Sequence, residues 1–197
     1  MRVGRFAATL TAALICATPT WAADVWQIIQ AESSLAFAAH DNHGSPIGGG
    51  FAKLSGTITG DPDHLADSHI RIDVELGSLT ADTPDTLTTL PGEDWFNTPK
   101  FPHAVYESRA ITMRPDGGFE AQGDLMLHGI KAPVTLVFSF ASYGPKPGAP
   151  GVLRAVAKGK AEVGRTAFKV GGSEWAGTLA DPVDVTFTLT AEKPLQH

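Results

Sequence analysis

Residues 119–140 read FEAQGDLMLHGIKAPVTLVFSF. Phe119, Ala121, Gly123, Leu125 and Leu127 are apolar or small, while Glu120, Gln122 and Asp124 lie between them. A period of two marks a strand with one dry and one wet face. Residues 128–131 (HGIK) make a polar, Gly-containing connection, and Pro133 is admissible only near a strand start. Val134, Leu136, Phe138 and Phe140 then share one face of a returning strand. A hairpin of this length is not stable alone in water, so further strands must cover its apolar side.

The rest of the chain supplies them. Residues 25–29 and 34–39 predict two short strands broken at Glu32 and Ser33, and residues 41–50 form a polar, Gly-rich connection. Residues 51–59 predict a strand with Leu54 and Ile58 on one side, followed by an Asp61-Pro62-Asp63 turn. Residues 69–76 alternate cleanly, with Ile70, Ile72, Val74 and Leu76 set against His69, Arg71, Asp73 and Glu75. Strands follow at 103–113, then at 152–163 and 183–191, with Asp116-Gly117-Gly118 turning into the hairpin. Residues 143–151 (YGPKPGAPG) predict a flexible loop, and residues 164–177 are irregular.

Residues 79–102 break the pattern. They predict a loop with short helical turns over 84–90 and 93–96. Leu90, Trp95, Phe96 and Phe101 make it too apolar to float in solvent, so it should pack across one end of the sheet as a lid or plug. Roughly eight strands joined by short antiparallel turns, with one apolar face throughout, predict an all-β fold with one or two short helices. A closed antiparallel β-barrel is favoured because it leaves no exposed edge, and a two-sheet sandwich is the alternative.

At 197 residues the chain fits one domain behind a leader. Arg2 and Arg5 precede the short apolar run 6–17 and a small-x-small Thr20-Trp21-Ala22. This predicts a secretory signal peptide over residues 1–22, too short to span a bilayer, and a mature domain over 23–197. A lipid anchor at Cys16 is the competing reading, with Ile15 a poor fit before it. Cleavage would remove the sole cysteine, leaving neither disulfide nor thiol nucleophile. It would also leave 13 basic against 21 acidic side chains, a formal charge of −8. That argues against nucleic acid and anionic membrane surfaces as partners. A barrel in the outer membrane would alternate too, but with its apolar face towards lipid and aromatic girdles that are not evident here, so a soluble barrel is predicted.

The inward positions Ala155, Ala157, Gly159 and Ala161, with Ala121 and Gly123, are unusually small. An eight-stranded barrel is just wide enough to be filled by side chains or to hold one slender ligand. Either bulky residues such as Phe51, Trp95, Phe138, Phe140 and Phe187 fill the room, or an apolar ligand does. Catalytic constellations are weak: the seven histidines are scattered, and His40-x-x-His43 with Asp41 sits on a loop that fixes no metal geometry. There is no Gly-x-Ser-x-Gly, His-Glu-x-x-His or phosphate loop, and Gly48-Gly49-Gly50 precedes a strand rather than a helix. No catalytic residue, metal or cofactor is therefore predicted. Arg165, a lone charge before Phe168, reads as a surface side chain or as a polar clamp at the barrel mouth.

Several separated stretches resemble the YceI-like proteins, a lipocalin-like family. They begin with Trp26-x-Ile28, Ser34-x-Ala36-Phe37, Gly49-Gly50-Phe51 and Gly77-Ser78-Leu79. More specific are Leu90-Pro91-Gly92-x-Asp94-Trp95-Phe96-Asn97 and Phe101-Pro102-x-Ala104. Gly123-Asp124-Leu125-x-Leu127-x-Gly129-Ile130-x-x-Pro133-Val134 and Gly164-Arg165-x-x-Phe168-x-Val170-Gly171 complete the series. The departures are a Thr-rich stretch at 83–89 and Trp175, which has no assigned place.

The resemblance implies an elongated antiparallel barrel whose apolar tunnel binds a polyisoprenoid or similar amphiphile in the periplasm. Some members resemble carriers of isoprenoid quinones, and some are encoded with or fused to di-haem membrane cytochromes. Combined with side-chain parity, it implies ligand contacts from Phe37, Phe51, Leu54, Ile72, Val74, Leu76, Trp95 and Phe96. Leu125, Leu127, Leu136, Phe138, Ala155, Ala157, Phe168 and Phe187 complete that set. The mechanism would be sequestration, with release by movement of residues 79–102. Two other readings stand beside it. One is an enzyme with His103, His128, Asp94 or Arg165 converging at the mouth, and the other is a stress-related, partner-binding protein with a filled barrel. Strand edges or the 143–151 loop offer a surface for a homodimer.

Overall fold

The computed structural model describes residues 25–41, 46–60, 64–175 and 177–195. The leader reading of residues 1–22, His43 and the Asp61-Pro62-Asp63 turn lie outside them. Among the described residues there are eleven strands: β1 (Val25–Ile28), β2 (Ser34–His40), β3 (Pro46–Phe51), β4 (Leu54–Thr59), β5 (His69–Glu75), β6 (Leu79–Ala81), β7 (His103–Met113), β8 (Phe119–Leu127), β9 (Ile130–Pro145), β10 (Val152–Gly164) and β11 (Pro182–Pro194). The α-helix α1 (Pro84–Thr89) starts with Pro84 in its first turn, and the Thr83 hydroxyl accepts the Thr86 amide as its cap.

These strands make a closed antiparallel barrel of eight. The ring runs β1, β4, β5, β7, β8, β9, β10 and β11, and β11 pairs back onto β1. The other three strands prolong ring members: β2 continues β1 along the same edge of β11, β3 pairs with β2, and β6 pairs with β3. Each of the first three staves is thus one long strand broken in the middle. The breaks are 3₁₀ turns at Gln30–Glu32 and Leu76–Ser78, and a two-residue kink at Ala52 and Lys53. Side chains stitch two of them. Ser33 Oγ donates to Ile29 O and accepts the Thr190 amide, and Ser78 Oγ accepts the Lys53 amide.

These kinks carry the upper segments away from β7, whose pairing with β5 stops at Glu75 opposite His103. Beyond that level β6 has β3 on one side and no strand on the other among the described residues. Residues 82–102 fill that gap, which is why an apolar, non-strand segment belongs there. The barrel's upper end therefore holds α1, the β8–β9 turn and residues 165–181, while the first and last described residues lie at the lower end.

The inward face forms a main core running from Leu54, Ile72 and Val74 through Ala121 and Leu136 to Phe187 and Leu189, with a smaller cluster of Trp26, Ala155 and Ala191 at the lower end. Outward positions carry Arg71, Glu107, Lys158, Lys160, Glu162 and Asp184. The apolar side is inside, the reverse of a membrane barrel.

Five sequence expectations are corrected. The predicted 41–50 connection contains β3, because its glycines let neighbours close in. An added Cβ on Gly49 would lie 2.6 Å from the Phe37 ring and 2.6 Å from Thr80 O. The predicted 51–59 strand breaks at Ala52, and β6 emerges from what read as loop. The hairpin turn is His128-Gly129 alone, with φ of 53° and 73°, the two positive values that a type I′ turn demands. The 143–151 loop shrinks because β9 runs on to Pro145.

Candidate ligand-binding interior

The small inward residues resolve into two kinds. Over the glycines, neighbouring aromatics take the space: a Cβ on Gly123 would meet the Tyr106 ring at 2.6 Å, and one on Gly159 would meet Phe187 at 2.4 Å. Over Ala155, Ala157 and Ala161 the space stays open, whereas Ala121 is fully buried and borders neither cavity. The result is an upper cavity of about 320 Å³ that includes Ala161 in its wall, and a lower one of about 80 Å³ that includes Ala155 and Ala157. An apolar cavity of ~150 Å³ holds benzene and stays dry, so the upper one has roughly twice that room.

Of the predicted contact residues, Phe37, Phe51, Leu54, Ile72, Val74, Leu76, Trp95, Phe96, Leu125, Leu127, Leu136 and Phe187 line the upper cavity, together with Arg165. Phe138, Ala155 and Ala157 line the lower one. Phe168 lines neither: it is 1% exposed and packed into the core from the 3₁₀ turn Arg165–Phe168. Parity could have added Leu35, Val134, Val163 and Val185, which share strand faces with residues already chosen. Tyr106 and Trp26 were missed because their polar atoms masked an inward position.

One wall of the upper cavity is an aromatic cluster. Phe37, Phe51 and Phe96 have ring centroids 5.8 to 6.5 Å apart, the first two from β2 and β3 and the third from the gap-filling segment. That segment is self-bonded rather than regular. The amides of Phe96, Asn97 and Thr98 bond back to Leu90, Gly92 and Pro91, and Asn97 adopts φ 48° to allow it. In contrast, α1 buries no side chain and offers Asp85, Thr86 and Thr89 to the cavity rim. The rim of the cavity mouth thus runs beneath α1.

Trp175, unplaced in the sequence, lies across that mouth. Its ring is 5.5 Å from Trp95, it lines the cavity, and it remains 41% exposed. Trp95 in turn lies against Gly171, whose φ of 84° and missing Cβ admit the indole.

Arg165 is not a surface residue. It is 3% exposed, and its guanidinium donates to four main-chain carbonyls: Ala180 at 3.0 Å, Val170 at 3.1 Å, Trp175 at 3.0 Å and Leu179 at 2.9 Å. It therefore ties residues 170–180 into the roof. Nearby, Asp181 has its carboxyl held below the usual carboxylate range, chiefly by hydrogen bonds from the Thr166 hydroxyl and amide. Inside, burial pushes the Tyr106 phenol up, and its hydroxyl donates to Ala121 O at 2.8 Å. It stays neutral and already bonded.

The polar groups weighed for catalysis do not converge. His103 pairs with Asp73 at 2.6 Å on the outer wall, His128 contacts Phe168 O at 3.1 Å, and Asp94 uses its carbonyl on the Gly171 amide. Among the described residues no group of three His, Cys, Asp or Glu could hold a metal ion. What the interior can do is exclude water from an apolar chain.

A family model for the YceI-like domain matches residues 26–191. A UPF0312 protein of Vibrio parahaemolyticus is 28% identical over 148 residues, covering 75% of this chain and 78% of that relative. A UPF0312 protein of Vibrio vulnificus is 28% identical over 117 residues, 59% of this chain and 62% of its own length. Among solved structures, Burkholderia cenocepacia BcnA superposes with a TM-score of 0.72 at 24% identity, covering 83% of this chain and 98% of that one. A polyisoprenoid-binding domain from Saccharophagus degradans, implicated in plant cell wall breakdown, gives 0.60 at 15% identity, with coverage of 88% and 100%. These likenesses extend to the fold.

Proposed function

The chain belongs to the YceI-like family, and from that premise and the apolar interior we propose that it binds and shields a long apolar lipid of the polyisoprenoid class. The observation that carries the reading is the open, almost wholly apolar upper cavity inside a closed barrel. The polyisoprenoid-binding function of the S. degradans domain, which shares the fold, supports the ligand class.

The energetics suit such a cargo. Burying each CH₂ contributes ~0.8 kcal/mol, so one five-carbon isoprene unit gives roughly 4 kcal/mol gross. Association costs about 4–15 kcal/mol, so several units are needed and no polar contact is required. A polar head would remain at the mouth. An isoprenoid quinone fits there because its flat ring can lie against the Trp95–Trp175 pair. In this proposal the protein works in the periplasm, where it ferries the lipid to a membrane partner such as a di-haem cytochrome. The two competing readings have less support, since His103, His128 and Asp94 do not converge and the barrel is not filled.

Thermal unfolding with added farnesol tests this. A ligand at a hundredfold excess over its Kd stabilises by ~2.7 kcal/mol, which for a domain of this size is a Tm rise of roughly 5–10 °C. An unmoved Tm with farnesol, and with longer prenols in detergent, would rule the reading out.

A further inference from the structure

The two cavities share four wall residues: Ile72 from β5, Leu136 from β9, and Phe187 and Leu189 from β11. These come from three strands of the barrel wall, so they form a waist between the two compartments. Phe187 is the largest of them, and its position is unusual. Its ring lies across the neighbouring strand at Gly159, where an added Cβ would stand 2.4 Å from the ring, 2.6 Å from Val137 O and 2.7 Å from Phe138 Cβ. Phe187 is therefore parked against backbone, between the compartments, in a berth that only glycine provides.

Below the waist the bore is made by what β10 omits. Ala157 stands opposite Leu189 and Phe140, and Ala155 opposite Ala191 and Tyr143. Beside them, on β9 and the next strand β8, Phe119, Phe138 and Phe140 interlock, with centroids 5.2 to 6.2 Å apart. The lower compartment is thus a narrow slot between two alanines and an aromatic wall, about a quarter of the volume above it.

Resting on the carrier reading above, we propose that Phe187 is a length-selecting partition. A short chain ends against it in the upper compartment. A long chain passes only when the ring turns aside, and its tail then lies in the Ala155–Ala157 slot. Specificity for chain length would be set at this waist, far from any head group at the mouth.

The test is native mass spectrometry of the full mature protein mixed with equal amounts of farnesol, a short prenol, and solanesol, a long one. Two variants approach the partition from opposite directions. Phe187→Leu widens the waist and should raise the ratio of bound solanesol to farnesol by about tenfold, the effect of roughly two more buried methylenes. Ala157→Leu fills the slot and should lower the same ratio by about tenfold. Either variant suffices if the other does not fold. A ratio equal to wild type in the folded variants would overturn the partition while leaving the carrier reading intact. Failure of the wild-type protein to take up either prenol would overturn both.

Discussion

Arg165→Met is the change whose effect follows most directly from the roof geometry. The side chain keeps its length and apolar stem but loses all four donations to Val170, Trp175, Leu179 and Ala180. The bonds to Val170 and Leu179 are buried, so those two carbonyls are left without a donor and without water. Each such orphaned acceptor costs ~1–3 kcal/mol. The other two lie nearer solvent and can be rehydrated. Relief of the guanidinium's own desolvation offsets part of the loss. The net is about 2–4 kcal/mol, or a Tm lower by roughly 5–15 °C for a chain of this size. Arg165→Lys should recover less than half, since a single ammonium cannot reproduce a planar fork aimed at several carbonyls. The assay is urea denaturation followed by circular dichroism and by tryptophan emission, which should shift to the red as Trp175 loosens from Trp95. A loss under about 1 kcal/mol, or full recovery by lysine, would refute the argument that the guanidinium organises the roof.

Three further outcomes are expected. Asp181 is held below the usual carboxylate range, so its contribution is present above about pH 4 and is lost as pH falls through its lower folded value. The denaturation midpoint should therefore drop in acid, and Asp181→Asn should flatten part of that drop; an unchanged acid limb contradicts it. Gly123→Ala places a Cβ 2.3 Å from the Glu107 carbonyl and should cost at least about 2 kcal/mol by equilibrium denaturation, because backbone cannot step aside cheaply. Thr83→Ala removes the α1 cap, worth ~1 kcal/mol of local helix, and should speed release of a bound prenol about fivefold while barely moving the global midpoint. An unchanged off-rate in stopped-flow displacement would mean that α1 does not gate the mouth.

The barrel was legible where one residue's environment is set by its own strand. The 69–76 stretch alternates over its own length, and β5 occupies His69–Glu75 of it. What escaped was set by neighbours. Gly48, Gly49 and Gly50 look like a loop in sequence, yet they form β3 because the Phe37 ring of β2 covers Gly49. The bulge between Ser108 and Ala110 shifts inward parity from Tyr106 and Ser108 to Ile111, and no local pattern announces it. Most residues chosen by side-chain parity lie on a cavity wall, but parity left much of that wall unnamed and could not say which small residues leave a void. That depends on whether an aromatic on the adjacent strand leans over, as Tyr106 does at Gly123, whereas Ala157 is left bordering the lower cavity. Arg165 read as either a surface side chain or a clamp at the mouth, because the four carbonyls that bury it belong to an irregular loop without periodicity.

The central claim is that the barrel exists to hold a lipid chain. Its most direct test is native mass spectrometry of the mature protein purified from the cells that make it, followed by organic extraction and identification of the released lipid. The account predicts an added mass close to one apolar chain per protein, lost on extraction and identified as an isoprenoid. A protein that emerges empty and stays empty when offered quinones or prenols would contradict it.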